Sequence, residues 1–162
     1  MRVYSTPGHG SSFLILLPAQ QRKAVPAPEE LRAASIPSGS VALVIDDEET
    51  IRSFARHVLS RAGMKVLVAG NGRAGVEIFR KLDTEISVVV LDLLMPIMGG
   101  EEALALMKQI NPDVPVVLSS GLDETEATRR FSEPKPARFL QKPYTAGRLV
   151  EAVAATLRPQ SD

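Results

Sequence analysis

The chain of 162 residues has no cysteine and no tryptophan, and aromatic residues make up only 4% of it. Without cysteine it can have no disulfide framework, no thiolate chemistry and no cysteine-based zinc site. Lysine plus arginine and aspartate plus glutamate each number 19, so the formal net charge is zero. No overall field therefore attracts the chain to nucleic acid or to an anionic membrane. Its two histidines, His9 and His57, are too isolated to suggest a metal site.

Long apolar runs are also missing. The apolar stretch Phe13–Leu17 is shorter than the ~7–15 residues of a secretory signal and the ~20 residues of a membrane-spanning helix. With 44% hydrophobic and 23% charged residues, the composition is typical of a soluble globular protein. We therefore expect no nucleic-acid binding, no membrane contact by this chain and a cytoplasmic location, whether or not a longer parent protein is anchored in a membrane.

Composition divides the chain into four parts. The turn-like segment Ser5–Gly10 is followed by the strand-like Phe13–Leu17, and the next segment contains three prolines but no apolar period. A proline-containing segment without a face to bury is typical of a linker. The four parts are an amino-terminal segment (1–18), a linker (19–39), a regularly patterned domain (40–158) and a tail (159–162).

Five short strand-like runs alternate with five helical patterns in the patterned domain. The predicted strands are Val41–Ile45, Val66–Ala69, Val88–Leu91, Val114–Leu118 and Arg138–Gln141. The first, third and fourth are apolar on both faces, which is typical of a parallel sheet covered by helices on each side. The fourth helix, predicted at Asp123–Phe131, is short and polar. We therefore predict an α/β fold whose ligands bind at the carboxyl ends of the strands.

Polar residues stand at four of these strand ends. They are Asp46 and Asp47 after the first strand, Asp92 after the third, Ser119 and Ser120 at the fourth, and Lys142 after the fifth. Converging carboxylates raise one another's pKa unless a cation lies between them, and Mg²⁺ (or Mn²⁺) prefers such hard oxygen ligands. A carboxylate can form an acyl phosphate, while lysine and serine can bind phosphoryl oxygens. The combination predicts a phosphoryl-transfer site.

Each of these residues also has a plainer structural explanation. A pair of acids before a helix is often only an N-cap, favoured by the helix dipole. Asp92 precedes Met95-Pro96 and is compatible with a simple turn, and Lys142 alone is compatible with a solvated surface charge. The presence of a suitable residue at all four strand ends favours the site over coincidence.

Four motifs resemble, in order and spacing, the receiver domain of two-component response regulators. They are Val44–Glu48, Leu91–Gly100, Val116–Gly121 and Phe139–Pro143, within residues 40–158. The resemblance implies a flavodoxin-like, doubly wound five-stranded parallel sheet with strand order 2-1-3-4-5. It also implies that Asp92 accepts a phosphoryl group from the phosphohistidine of a kinase or of a histidine phosphotransfer domain.

The resemblance assigns roles to the remaining residues. It implies that Mg²⁺ is held by Asp46, Asp47, Asp92 and the main-chain carbonyl of Leu94. Lys142 and Ser120 would bind phosphoryl oxygens, with Ser120 rather than Ser119 at the hydroxyl position. Ser120 and Phe139 would form a switch that changes the surface of the fourth helix, fifth strand and fifth helix, which is also a candidate homodimer interface. The Lys142–Pro143 bond is expected to be cis.

The amino-terminal segment has a resemblance of its own. Ser5–Phe13 and Leu16-Leu17-Pro18 resemble the last glycine box and final strand of a histidine-kinase ATP-binding domain. Residues 1–18 would then be a remnant of that domain, and the chain would be the carboxyl-terminal receiver of a hybrid sensor histidine kinase. The alternative for residues 1–18 is a disordered extension. Because the rest of the ATP-binding domain is absent, we expect this fragment not to be an enzyme.

Two departures from the family pattern bear on function. Glu133-Pro134-Lys135-Pro136 is expected to shorten the fourth helix. Leu94 is apolar where many receivers carry a polar side chain, so we expect it to do little to position a hydrolytic water.

The alternatives to a phosphoacceptor receiver are an unphosphorylated protein-interaction module and an aspartyl-phosphate phosphatase. The phosphatase is disfavoured because Leu94 stands where a second acid is needed.

Overall fold

The computed structural model describes residues 2–6, 8, 10–14, 36–129 and 135–158. Within these residues the chain forms seven strands and five helices, which are divided between a small amino-terminal hairpin and an α/β domain. None of the helices in these ranges is long and apolar enough to cross a membrane.

The hairpin consists of β1 (Arg2–Thr6) and β2 (Gly10–Leu14), which pair antiparallel. The prediction for this segment was partly wrong. A single strand was expected at Phe13–Leu17, whereas β2 begins earlier, and Ile15–Leu17 lie outside the described residues. The unpredicted β1 contains β-branched and aromatic residues, which favour extended backbone. Between the strands Gly8 has φ 76°, a conformation that glycine adopts at little cost.

The α/β domain alternates strands and helices along the chain. Its elements are β3 (Val41–Ile45), α1 (Glu49–Arg61), β4 (Lys65–Ala69), α2 (Gly72–Leu82), β5 (Ile86–Asp92), α3 (Gly100–Ile110), β6 (Val116–Ser120), α4 (Glu124–Arg129), β7 (Arg138–Gln141) and α5 (Ala146–Leu157). The five strands form one parallel sheet in the order β4-β3-β5-β6-β7. Numbered within the domain this order is 2-1-3-4-5, and the predicted fold is confirmed.

Two apolar layers lie on opposite faces of the sheet, because successive residues of a strand point to opposite sides. On one face Leu43 and Ile45 belong to a core that includes buried residues of α2 and α3. On the other face Ala42 and Val44 belong to a core that includes buried residues of α1 and α5. Helices thus cover both faces, and the carboxyl ends of the strands are left as the edge where polar side chains can gather.

Several element boundaries differ from the prediction: β4 begins one residue earlier, at Lys65, and β5 runs from Ile86 to Asp92 rather than from Val88 to Leu91. The fourth strand of the domain was expected at Val114–Leu118 but runs from Val116 to Ser120. It has neighbours on both sides, and Pro115 lacks the N–H that a central strand needs, so regular pairing begins after it. Asp123 caps the short α4, since its Oδ1 accepts a hydrogen bond from the N–H of Glu126 at 2.9 Å. The predicted last residues of this helix, 130–131, lie outside the described residues, as do residues 133–134.

Candidate functional site

Three aspartates meet at the carboxyl ends of β3 and β5, which are neighbours in the sheet. Asp46 and Asp47 directly follow β3, and Asp92 is the last residue of β5. One carboxylate oxygen from each residue lies within 4.8 Å of the other two. Asp46 is 2% exposed and Asp92 5%, whereas Asp47 is exposed to solvent. The cluster is therefore open on one side and closed around its central acid.

Lys142 joins two of these acids. Its Nζ lies 2.7 Å from Asp46 Oδ2 and 3.1 Å from Asp92 Oδ1. The residue follows β7, the edge strand, and the next peptide bond, Lys142–Pro143, is cis. The fold thus brings together four charged residues that are separated by up to 96 positions in the sequence.

Burial and crowding change the proton affinities in the cluster. Burial raises the pKa of Asp92 from 3.8 to about 6, against the opposing effect of the Lys142 ammonium and with a further upward contribution from Asp46. Burial alone would lower the pKa of Lys142, but its hydrogen bond to Asp46 and the charge of Asp92 raise it above its ordinary value. The ammonium therefore stays protonated at neutral pH and partly compensates the acids.

The donor set fits a divalent cation. Three carboxylates and one ammonium leave two negative charges when all are ionised. Carboxylate oxygens are the hard ligands that Mg²⁺ prefers, and an octahedral Mg²⁺ keeps several waters that a phosphate can replace. One of these carboxylate oxygens, Asp46 Oδ2, already accepts a hydrogen bond from Lys142.

Arg52 supports the loop that carries two of the acids. Its guanidinium Nη1 donates to the main-chain carbonyls of Asp46 at 2.7 Å and Asp47 at 2.8 Å. The N–H of Glu48 donates to Asp46 Oδ1 at 3.0 Å, which also holds that carboxylate in place. Sequence reasoning missed Arg52; its available signal was a cation near the start of α1, where the helix dipole favours acids.

The two serines at the end of β6 have different surroundings. Ser119 pairs in register with Asp92, so both side chains point to the same face of the sheet, and Ser120 points to the opposite face. Ser120 Oγ accepts a hydrogen bond from the N–H of Leu122 at 3.1 Å. Ser119 is 1% exposed, and its hydroxyl forms no hydrogen bond within the described part of the chain.

Phe139 lies on the same face of the sheet as Ser120. It pairs with Leu118, two residues before Ser120 on the neighbouring strand, and its ring is partly buried against the core on the α2 and α3 side. The hydroxyl and the aromatic ring that the resemblance names as a switch are therefore adjacent positions on one face.

The loop between β5 and α3 begins next to the acidic cluster and exposes apolar side chains. Leu94, two residues after Asp92, is 51% exposed, and Ile97 is 71% exposed. Ile97 has φ 74°, which is strained for a β-branched residue. At the end of the loop, a Cβ on Gly100 would collide with the carbonyl oxygen of Asp92. Glycine here lets α3 begin directly against the end of β5.

Comparison with known proteins agrees with this geometry. Residues 42–154 match the family of the response regulator receiver domain. The chain belongs to that family, and it is thus a phosphoacceptor domain of two-component signalling.

Three relatives illustrate the family. The sensor kinase CckA of Brucella abortus is 30% identical over 164 residues, which cover 96% of this chain and 17% of CckA. The chemotaxis protein CheY of Thermotoga maritima is 28% identical over 116 residues, which cover 71% of this chain and 95% of CheY. The crystal structure of a receiver domain from Clostridium thermocellum is 30% identical, with a TM-score of 0.68 over 73% of this chain and 94% of that one. The chain thus spans only about a sixth of CckA, but nearly the length of the single-domain CheY.

Proposed function

We propose that Asp92 is the phosphoacceptor and that its phosphorylation requires Mg²⁺ (or Mn²⁺) and a phosphohistidine donor. The observation that supports this most strongly is the cluster itself: a nearly buried carboxylate lies beside two further acids and a lysine ammonium. In this proposal an oxygen of Asp92 attacks phosphorus, the phosphorus–nitrogen bond breaks, and the imidazole nitrogen of the donor leaves with the bonding electron pair.

The residues around Asp92 have separate tasks in this reaction. Asp46, Asp47, Asp92 and the Leu94 carbonyl would hold the cation, which when bound neutralises charge on the phosphoryl oxygens. Lys142 would turn its ammonium to a phosphoryl oxygen and so stabilise the same charge. Because most of the catalysis in phosphoryl transfer comes from positioning and charge neutralisation, these tasks suffice without a further acid or base.

Signal output would follow from a shift in conformational population. The phosphoryl group on Asp92 carries a charge of about −2, where the free carboxylate carries −1, and it attracts hydrogen-bond donors. Ser120 would leave its bond with the Leu122 N–H and turn to the phosphoryl group. The space that it vacates lies on the face of Phe139, whose ring would then move inward and alter the surface of α4, β7 and α5. That surface is our candidate for partner binding, including a homodimer.

The parent protein is proposed to be a hybrid sensor histidine kinase with this receiver at its carboxyl end. The alignment with CckA covers 96% of the chain and so extends beyond residues 42–154 into the amino-terminal part. This supports our assignment of residues 1–18 to a kinase ATP-binding domain, 19–39 to a linker, 40–158 to the receiver and 159–162 to a tail. We further propose a cytoplasmic location and no catalytic activity of its own for this piece.

The test is incubation with acetyl phosphate and Mg²⁺, followed by intact-mass measurement. We expect a labile phosphoryl adduct on the wild type and on Asp113→Ala, an exposed aspartate outside the cluster, but none on Asp92→Ala. An unmodified wild type under these conditions would instead indicate a protein-interaction module. Continuous release of inorganic phosphate would indicate a phosphatase.

A further inference from the structure

The Ser119 hydroxyl is a buried polar group without a formed hydrogen bond in the described residues. A hydroxyl buried in this way costs stability, because it has given up its bonds to water and gained none in return. Ser119 points to the same face as Asp92, its register partner on the neighbouring strand. The orphaned hydroxyl thus lies beside the charged cluster rather than in a remote part of the core.

The side chain of Lys142 has to pass over Ser119. Lys142 follows β7, Asp92 ends β5, and β6 lies between these two strands. To reach Asp92 Oδ1 and Asp46 Oδ2, the lysine must cross β6 on the face to which Asp92 points. Ser119 is the residue of β6 at that level, since it pairs with Asp92 on one side and with Leu140 on the other. The Ser119 hydroxyl is therefore within reach of the Lys142 side chain.

A second hydroxyl, that of Tyr144, lies near the same side chains. Burial raises the pKa of Tyr144, while Ser119 and the Lys142 ammonium lower it, so all three groups are close in space. The Ser119 side chain lowers the pKa of Tyr144 as a nearby hydrogen-bonding group, but no hydrogen bond of full geometry is formed by Ser119 Oγ within the described residues. The Tyr144 ring packs against Phe54 of α1, with the ring centroids 6.2 Å apart.

A divalent cation in the acidic cluster would compete with existing hydrogen-bond donors for the Asp46 carboxylate. Its Oδ1 already accepts from the N–H of Glu48, and its Oδ2 from the Lys142 ammonium at 2.7 Å. A cation that ligates Asp46 Oδ2 competes with the ammonium for this oxygen and repels it electrostatically. The ammonium would then keep Asp92 Oδ1 but lose the shorter of its two ion pairs, and a further acceptor would replace the lost bond, because a buried charge with few partners is costly.

We propose that Ser119, backed by the Tyr144 hydroxyl, is a positioning residue that receives the Lys142 ammonium when a divalent cation takes over the Asp46 carboxylate. A hydroxyl oxygen is a suitable acceptor, since it offers lone pairs but no negative charge that would itself compete for the cation. Ser119 therefore keeps the lysine next to Asp92 and lowers the cost of cation binding. The inference rests on the proposed function, because it needs the cation site.

The test combines calorimetric titration with Mg²⁺ and the emission of Tyr144. The chain has no tryptophan and two tyrosines, so Tyr144 is the sole tyrosine in a Tyr4→Phe background. We expect Ser119→Ala to weaken Mg²⁺ binding about threefold to tenfold, the equivalent of one hydrogen bond, whereas Ser119→Thr retains the affinity. The Mg²⁺-dependent change in Tyr144 emission should shrink in Ser119→Ala. In the cation-free protein, Ser119→Ala should raise the unfolding midpoint, because it removes an orphaned hydroxyl.

The decisive control removes the lysine. In a Lys142→Met background, Mg²⁺ should bind more tightly than to the wild type, and Ser119→Ala should then have no further effect. Ser87→Ala, which removes a strand hydroxyl bonded to the Val41 N–H at the opposite end of β5, should leave Mg²⁺ affinity unchanged. The inference is overturned if Ser119→Ala still weakens Mg²⁺ binding in the Lys142→Met background. It is also overturned if Ser119→Ala alone binds Mg²⁺ with an affinity within twofold of the wild type. If the wild type binds no Mg²⁺, the proposed function fails as well.

Discussion

The charge on Asp92 is expected to destabilise the cation-free domain, and Asp92→Asn should relieve this cost. The folded-state pKa of about 6 lies above the ordinary value of 3.8, so the folded state binds this proton more tightly than the unfolded state does. Stability is therefore gained as pH falls from about 6 towards 3.8, and the full cost applies above about 6. A difference of about two units, at about 1.4 kcal/mol each, corresponds to about 3 kcal/mol.

Asparagine has nearly the shape of the protonated acid and carries no charge. We therefore expect Asp92→Asn to raise the free energy of unfolding in EDTA by about 1–3 kcal/mol at about pH 7.5, and by much less at about pH 4.5. Lys142 keeps its bond to Asp46 in the variant, so the ammonium is not left without a partner. Conversely, Mg²⁺ should stabilise the wild type more than the variant, because it binds the folded state through the ionised carboxylate.

The assay is urea denaturation followed by far-ultraviolet circular dichroism, since the chain has no tryptophan to report unfolding. Asp113→Asn, which also removes one negative charge but from an exposed loop, is the matched control and should change stability little at either pH. The reasoning is refuted if Asp92→Asn is no more stable than the wild type at the higher pH. It is equally refuted if the difference in stability between Asp92→Asn and the wild type is the same at both pH values.

Three further predictions concern the β5–α3 loop and the glycines. Gly100→Ala should lower the free energy of unfolding by about 1–3 kcal/mol, because the added Cβ overpacks against β5. Gly147→Ala, where a Cβ has space in α5, should raise it by about 0.5–1 kcal/mol. Chemical denaturation measures both, and changes of the same sign would contradict the close approach of Gly100 to Asp92. Ile97→Asn should raise the thermal midpoint, because asparagine tolerates the left-handed conformation and the isoleucine buries little surface; an unchanged or lower midpoint argues against strain. Leu94→Asn should shorten the lifetime of phospho-Asp92 about tenfold, because the amide can orient a hydrolytic water. The lifetime is measured by the release of inorganic phosphate. A wild-type half-life of seconds that the substitution leaves unchanged argues against this.

Sequence reasoning succeeded where a local pattern is sufficient. Val41–Ile45 and Arg138–Gln141 were predicted with the bounds that the structure shows, and the sheet order followed from the receiver resemblance. The acids and Lys142 were predicted to meet because parallel strands end at one edge, and the structure brings them together.

What the sequence could not predict depends on register and on long-range contacts. The Ser119 hydroxyl is buried without a partner among the described residues and lies in register with Asp92, and neither fact can be read from a local motif. Arg52 donates to two main-chain carbonyls from a position near the start of α1, where the helix dipole disfavours a cation; that unfavourable position was the single local sign of its role. The pairing of β1 with β2 was missed because Arg2–Thr6 has no sustained alternation of apolar and polar residues, and the pairing depends on contact between two separate segments.

Both polar groups of the Leu93 backbone are hydrogen-bonded, and these bonds separate the position of Asp92 from the conformation of the loop that follows. Its N–H donates to the carbonyl of Ser119 at 3.0 Å, and its own carbonyl accepts from the N–H of Gly100 at 2.9 Å. These two bonds close the loop of residues 94–99 at its base, so changes in the loop need not move Asp92. Under the proposed function, we expect substitutions at the exposed Leu94 and Ile97 to change the lifetime of phospho-Asp92 while Asp92 keeps the position at the end of β5.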